Sequence, residues 1–244
     1  MLKELEDYNW FPAGLRRWQM EYIGYAVCLF KLYQPLVQVL EEMISGNRSV
    51  VLQDTCSGSG MPAMYVYNRL SSKLPVMLTD KYPYSAFKNA PLVMYSAFTA
   101  DITRLHPSKG TLYTMYNAFH HFSGDEQKGI VNKMAENGSP FLIAEILEPG
   151  VLTFIKVIFT TTILQLLTAP FVKPFSLKRL LFTYIIPVNI FTVTYDGIVS
   201  VLKSASARQY RKLFAGISTN AYTVTVNKVN RITGTVIYIK GEPV

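Results

Sequence analysis

The sequence predicts an α/β protein built on a mostly parallel sheet with an antiparallel terminal strand. Three observations carry that expectation. Short apolar runs alternate five times with stretches of helical spacing, a glycine-rich turn (DTCSGSG, 54–60) directly follows the first apolar run, and the chain closes in two β-rich runs. Parallel strands need crossover connections, so the alternation places helices on both faces of the sheet, whereas the two terminal runs are close enough in sequence to form a hairpin.

Residues 15–45 carry apolar and aromatic side chains at three- and four-residue spacing, from Leu15 and Trp18 to Leu40 and Met43, and stop at Ser45-Gly46-Asn47. One or two helices are expected, with a break at Pro35, which lacks the helical N–H. Val50-Val51-Leu52 begins the first strand, and helical potential resumes after the turn as far as Leu70. Residues 75–80 (PVMLTD) read as the second strand, 85–98 as a helix despite Pro91, and a short third strand lies around Phe98 and ends near Asp101. Residues 111–116 (TLYTMY) read as the fourth strand, Asn117–Phe122 as a turn, and Asp125–Glu136 as a helix closed by Asn137-Gly138-Ser139. The fifth strand is 141–146 (FLIAEI). A helix over 205–214 precedes the terminal runs 222–229 and 235–240, joined by residues 230–234.

Half of the 244 residues are apolar and 16% are charged, which excludes a disordered chain, and this length buries a core without a disulfide or metal staple. Cys28 and Cys56 fit neither a disulfide framework nor a zinc-ligand spacing, so a reducing compartment is expected. The N-terminal residues lack the basic region and apolar core of an export signal. The net charge of +8 is unevenly held: residues 1–148 carry 13 basic and 14 acidic side chains, and 149–244 carry 11 basic and two acidic ones.

A glycine-rich turn after the first strand lets a ligand lie against the backbone and aims the amides of the next helix at it; alone, such a turn also serves close helix–strand packing. Asp80, at the end of the second strand, favours the ligand, because a carboxylate there accepts ribose hydroxyls in nucleotide-binding α/β folds. The turn at 54–60, Leu78-Thr79-Asp80, Ala100-Asp101-Ile102 and the run Tyr116-Asn117-Ala118-Phe119-His120-His121-Phe122 together resemble the class I S-adenosylmethionine-dependent methyltransferases. The resemblance covers 48–148 and again 220–240. It implies a Rossmann-like, seven-stranded sheet whose last strand is reversed, here with N-terminal helices and an apolar helical insertion before the last two strands.

The same resemblance implies S-adenosylmethionine as cofactor. Asp54, Gly58 and Gly60 would cradle its methionine moiety, Asp80 the ribose and Asp101 the adenine amino group, with Cys56, Lys81, Ile102 and Asn117 completing the contacts. Cys56 stands where the family usually has its first glycine, which narrows the loop. A dinucleotide site is disfavoured, because the turn continues Gly58-Ser59-Gly60-Met61-Pro62-Ala63 rather than G-x-G-x-x-G. His120 and His121 follow the fourth strand, at the sheet edge where such folds bind ligands, and are the candidate catalytic residues. A histidine there can take a proton from an acceptor hydroxyl; equally, the pair can shape the pocket or cap the next helix. The family's amino-methylating enzymes carry an Asn/Asp-Pro-Pro-Tyr/Phe turn at this place, which this chain lacks, so no nucleic-acid partner is expected. No metal is expected either, since only Asn117 offers a ligand beside the fourth strand. Glu145 and Glu148 are alternative acceptor-binding groups or ordinary surface acids.

Residues 151–169 form a 19-residue apolar run interrupted only by Lys156 and Gln165, and a second run, 180–193, is broken by Pro187 and Asn189. Between them lies a basic-aromatic link with Lys173, Lys178 and Arg179. Three settings fit this block: an interfacial lid or anchor with a Lys/Arg rim, a soluble lid or dimer interface, and a transmembrane hairpin. Asp196, the block's carboxylate, either lines the acceptor pocket or caps a helix beginning at Gly197. The expected organisation is one domain, 1–244, with an N-terminal helical cover (1–47), a cofactor-binding core (48–148), the apolar insertion (149–204), and a last helix with the terminal hairpin (205–244). The expected activity is methyl transfer to a hydrophobic small molecule, aromatic or lipid-like, in the cytoplasm with peripheral contact at the inner membrane face through 151–193. The alternative is a catalytically silent ligand-binding protein on the same fold.

Overall fold

A computed structural model describes residues 2–47 and 51–244; Val50, expected in the first strand, lies outside them. The strands are β1 Val51–Thr55, β2 Val76–Thr79, β3 Val93–Tyr95, β4 Thr111–Tyr116, β5 Phe141–Glu145, β6 Tyr222–Arg231 and β7 Gly234–Pro243. They form one sheet in the order β3-β2-β1-β4-β5-β7-β6. β1 to β5 run parallel, and β7 lies antiparallel to both β5 and β6. The terminal hairpin is longer than expected: its ladder reaches the Arg231–Gly234 pair, which leaves only Ile232-Thr233 as the loop.

Every residue of β4 and β5 is buried, as befits central strands covered on both faces. Alternate side chains feed two cores. Leu112, Tyr116, Leu142 and Ala144 pack with helices α1 (Ala13–Leu29), α2 (Leu36–Gly46) and α3 (Met61–Tyr67). Tyr113, Met115, Phe141 and Ile143 pack on the other face with α4 (Gly124–Glu136) and, further along the chain, the helix Ala207–Leu213. Pro35 immediately precedes α2, as the sequence led one to expect.

The helix expected over 85–98 is absent. Residues 81–92 are bends and turns, and Ala90 and Val93 exchange backbone hydrogen bonds of 2.8 and 3.0 Å across a tight turn. Pro83 and Pro91 remove helical donors from this stretch, and Asn89 Oδ1 accepts from the Tyr95 N–H at 2.8 Å. β3 therefore begins at Val93, where Val76–Leu78 of β2 pair with it, and not around Phe98, which is exposed.

The insertion is helical. α5 (Val151–Phe159) continues through a π turn, Thr160–Leu164, into α6 (Gln165–Thr168), and α7 (Leu177–Tyr184) meets α8 (Val188–Lys203) at 77°; Ala207–Leu213 is then α9. Val151–Phe171 is long and apolar enough to cross a membrane, and Val151, Leu152, Ile155, Ile163 and Leu167 are exposed along it. α8, by contrast, is docked on the body of the protein, with Asn189, Thr192, Val193, Asp196, Val199 and Ser200 buried. α5 approaches it at Gly197, where a Cβ would lie 2.8 Å from Val157 Cγ1. Asp196 is therefore mid-helix and caps no helix beginning at Gly197.

Arg179 corrects a second expectation. It is buried beneath the insertion instead of lying on a basic rim. Its Nη1 stands 2.5 Å from Glu21 Oε2 of α1, and its Nη2 donates to the carbonyls of Val172 and Pro174 at 2.5 and 3.0 Å. Removing one partner of a buried pair strands the other charge and costs about 3–5 kcal/mol. Arg179→Ala should lower stability to urea by that amount, whereas Lys178→Ala, at an exposed neighbour, should stay within about 0.5 kcal/mol. Equal effects of the two would contradict the docking of α7 through Arg179.

Candidate active site

The turn after β1 is held open by backbone geometry. Cys56, Gly58 and Gly60 have φ of 53°, 52° and 75°, in the left-handed region. This is the reason a glycine suits position 56; cysteine there carries about 1–2 kcal/mol of strain. Gly60 also has no room for a side chain, since a Cβ would lie 2.9 Å from Leu78 Cδ1 and 3.0 Å from the Phe87 ring. Asp80 fixes the loop from the end of β2: its Oδ2 accepts from Gly58 N–H and its Oδ1 from Tyr82 N–H, both at 2.8 Å. Burial raises its carboxyl above the usual range, opposed by those two hydrogen bonds. Tyr95 of β3 adds a hydroxyl donor to the Gly58 carbonyl at 2.7 Å.

The loop opens on a cavity of about 1110 Å³ at the carboxyl edge of the sheet, larger than the roughly 300–1000 Å³ of an ordinary single-ligand pocket. Cys56, Gly58, Asp80, Lys81, Asp101, Ile102, Asn117, His120 and His121 all line it. Asp54 and Gly60 do not. Asp54 is buried within the sheet and accepts from Thr114 Oγ1 at 2.7 Å, while Gly60 packs under the loop. Asp101 is displaced from the strand end by six residues; it caps the short helical turn Ile102–Arg104, its Oδ1 accepting from Thr103 N–H at 2.9 Å. Ser59 Oγ and Asn117 Oδ1 are buried, line the cavity and have no hydrogen-bond partner.

The histidines sit in a ring of acids that their own sequence neighbourhood does not announce. His120 is buried with Nδ1 2.7 Å from Glu145 Oε2, and Glu145 Oε1 accepts from Phe119 N–H at 2.6 Å. Glu145 is thus neither an acceptor-binding group nor a surface acid: it orients His120. Its carboxylate engages Nδ1, so that Nε2 faces Glu4. His121 has Nδ1 3.1 Å from Asp7 Oδ1, and its Nε2 lies 3.3 Å from Glu4 Oε2 and 3.7 Å from Glu6 Oε1. Burial opposes a charge on His121, yet Glu4, the hydrogen bond to Asp7, and Glu6 together raise it to about 9. These carboxylates favour a proton on His121, which the ring would have to release to act as a base or a ligand. Glu148, by contrast, is paired with Lys228 at 2.6 Å on the cavity margin.

Glu4, Glu6 and Asp7 arrive from the N-terminus because α8 holds them. Asp196 Oδ1 accepts from Leu5 N–H at 2.5 Å, and Oδ2 accepts from Glu6 N–H at 3.2 Å and from Gln19 Nε2 at 2.7 Å. Glu4 in turn accepts from Lys203 Nζ at 2.9 Å and Ser200 Oγ at 3.0 Å. No local signal marks Glu4, which lies 116 residues from His120.

No protein-family model and no curated protein matches the sequence. Among solved structures, human N-acetylserotonin methyltransferase in complex with SAM superposes with a TM-score of 0.51 at 10% identity, over 89% of this chain and 54% of that one. The chain thus spans about half the length of that enzyme. The plantazolicin methyltransferase BpumL in complex with SAH superposes with a TM-score of 0.49 at 8% identity, over 94% of this chain and 95% of that one. This chain has the class I methyltransferase fold. The glycine-rich turn after β1 and the reversed β7 are among the features through which the sequence resembled that family.

Asp54 gives a test of the sheet that carries the site. Burial pushes its carboxyl up from the ordinary 3.8 to about 7, against the hydrogen bond from Thr114. A group raised on folding stabilises fully below its unfolded value, and that stability is lost as pH rises through its folded value. The stability of the parent relative to Asp54→Asn should therefore fall by about 1.4 kcal/mol per pH unit between roughly pH 4 and 7. Denaturant titrations across that range check it; a pH-independent difference would contradict the buried, protonated carboxyl.

Proposed function

We propose that this protein binds S-adenosylmethionine in the cavity and transfers a methyl group to a hydrophobic small molecule at a membrane surface. The observation that carries the proposal is that nine residues expected from the sequence to meet cofactor or acceptor line one cavity with two buried, unpartnered polar atoms. Those atoms, Ser59 Oγ and Asn117 Oδ1, fit a polar ligand. Gly58 and its neighbours would hold the methionine end, Asp80 the ribose through its free lone pairs, and Asp101 with Ile102 the adenine. When bound, the cofactor supplies a methyl on a sulfonium sulfur, which an acceptor atom displaces in line. The protein's part is alignment and exclusion of water. The N-terminal segment roofs the cavity through Glu4, Glu6 and Asp7, and α5 walls it with Val151, Leu152 and Val157.

The same α5 presents an exposed apolar face on its outer side, continued by Phe171, Phe175, Leu177 and Ile185 and flanked by the exposed Lys156, Lys173 and Lys178. A surface of that size calls for a partner, and aliphatic side chains with ammonium groups at the margin suit an anionic bilayer. The transmembrane-hairpin setting is disfavoured, because a second crossing by α7 and α8 would carry Asn189, Asp196 and Ser200 from their polar partners into hydrocarbon. An acceptor dissolved in the membrane would then meet the cavity wall directly.

Calorimetry should show binding of S-adenosylmethionine and S-adenosylhomocysteine, with Asp80→Ala weakening both at least tenfold. Binding of neither would overturn the proposal. Binding without turnover over a panel of phenols, quinols and lipids would instead favour the silent ligand-binding protein. Sedimentation with anionic liposomes tests the membrane separately: the parent should co-sediment, and the Lys156→Glu, Lys173→Glu, Lys178→Glu triple variant should not. Loss of neither binding nor salt sensitivity in that variant would reassign the apolar face to a lid or a dimer interface.

A further inference from the structure

We infer that Glu4, His120 and His121 form a binding site for one divalent cation of the zinc type. Each residue offers one ligating atom, and the three atoms lie within 4.8 Å of one another. His121 Nε2 is 3.3 Å from Glu4 Oε2, close to the roughly 3.3 Å that separates ligands around a tetrahedral ion. His120 Nε2 is 3.9 Å from Glu4 Oε1, too far for a hydrogen bond and near enough to close on an ion. Two imidazole nitrogens and one carboxylate are a donor set for zinc or its borderline neighbours, not for magnesium or calcium, which take oxygen.

The surroundings are those of ligands and not merely of an ion-pair cluster. Both rings turn Nδ1 to a carboxylate, Glu145 for His120 at 2.7 Å and Asp7 for His121 at 3.1 Å. That is the arrangement by which outer carboxylates orient metal-ligating histidines and free Nε2 for the ion. The rings lie side by side with centroids 4.6 Å apart, so the two Nε2 atoms converge on Glu4. Lys203 and Ser200 each take one oxygen of Glu4 and fix that carboxylate in turn. Glu6 Oε1 lies at the margin of the cluster, 3.7 Å from His121 Nε2. All three proposed ligands line the cavity, which gives the ion an entry path and an open position toward it. On the methyl-transfer reading, on which this use alone rests, such an ion would lower the pKa of an acceptor hydroxyl.

The test uses the full chain without a polyhistidine tag, stripped by a chelator and titrated with zinc alone against a chromophoric competitor. One zinc per chain is expected, with X-ray absorption at the zinc edge showing two imidazoles and oxygen ligands. The chain has only three histidines, and His106→Gln, at an exposed site, should leave both readouts unchanged. Glu4→Gln and His120→Gln should each weaken binding at least 100-fold, and Asp7→Asn about 10-fold or more. Substoichiometric zinc, fewer than two imidazoles, or unaltered affinity in a folded Glu4→Gln protein would overturn the site. If Glu4→Gln does not fold, by circular dichroism, the absorption spectrum of the parent decides alone. Calorimetry with S-adenosylmethionine on the same stripped preparation separates the two proposals: cofactor binding without a zinc site removes only the ion, and a zinc site without cofactor binding removes only the methyl transfer.

Discussion

Asp196 accepts hydrogen bonds from the backbone of Leu5 and Glu6 and from the side chain of Gln19, and so ties the N-terminal segment, α1 and α8 together with one carboxylate. The active-site end of the molecule depends on this knot. With Lys203 and Ser200 on Glu4, it holds Glu4 and Asp7 against the histidine pair, since the segment makes only a three-residue helical turn of its own, Leu5–Asp7, with no buried residue in it. Arg16 adds donors to the carbonyls of Glu6 and Tyr8 at 2.9 and 2.6 Å, completing backbone satisfaction of a stretch too short to satisfy itself. Burial raises the Asp196 carboxyl to about 6, against the hydrogen bonds from Gln19, Leu5 and Glu6.

The insertion is attached to the body by polar contacts on its inner side and left apolar outside. Arg179 with Glu21, and Asn189 and Thr183 on their shared hydrogen bond, lie inside; Ile155, Ile163, Phe171 and Leu177 lie outside. That inversion of the usual globular pattern makes sense of the charge asymmetry along the chain. Of the basic residues in this block, Lys203 and Arg179 are spent on buried carboxylates from the acidic N-terminal half, whereas Lys156, Lys173 and Lys178 remain exposed beside the apolar face.

The sheet was legible because its signals are local. Apolar runs of five or six residues, the glycine-rich turn and the Asn137-Gly138-Ser139 stop all fix their elements within a few residues, and the observed elements follow them closely. The stretch between β2 and β3 was misread because apolar spacing over 85–98 competes with Pro83 and Pro91, and the missing N–H groups prevail. Asp101, Ile102 and Asn117 could be placed at the cavity from their motifs. The work of Asp54, a buried partner of Thr114, could not, because strand-end acids that face a ligand and those that face the neighbouring strand carry the same sequence signature.

By itself, then, the sequence determined the α/β class, a mostly parallel sheet with an antiparallel end, and the edge of the sheet where ligands go; these follow from hydrogen-bonding periodicity and turn chemistry, which act over a few residues. Only the tertiary structure decided which side chains meet at that edge. Glu4 with Asp7, Glu145, and Lys203 gather around His120 and His121 from three separate segments, and Arg179 leaves the surface for Glu21, because burying a charge requires a partner wherever the folded chain supplies one, and sequence distance places no limit on where that is.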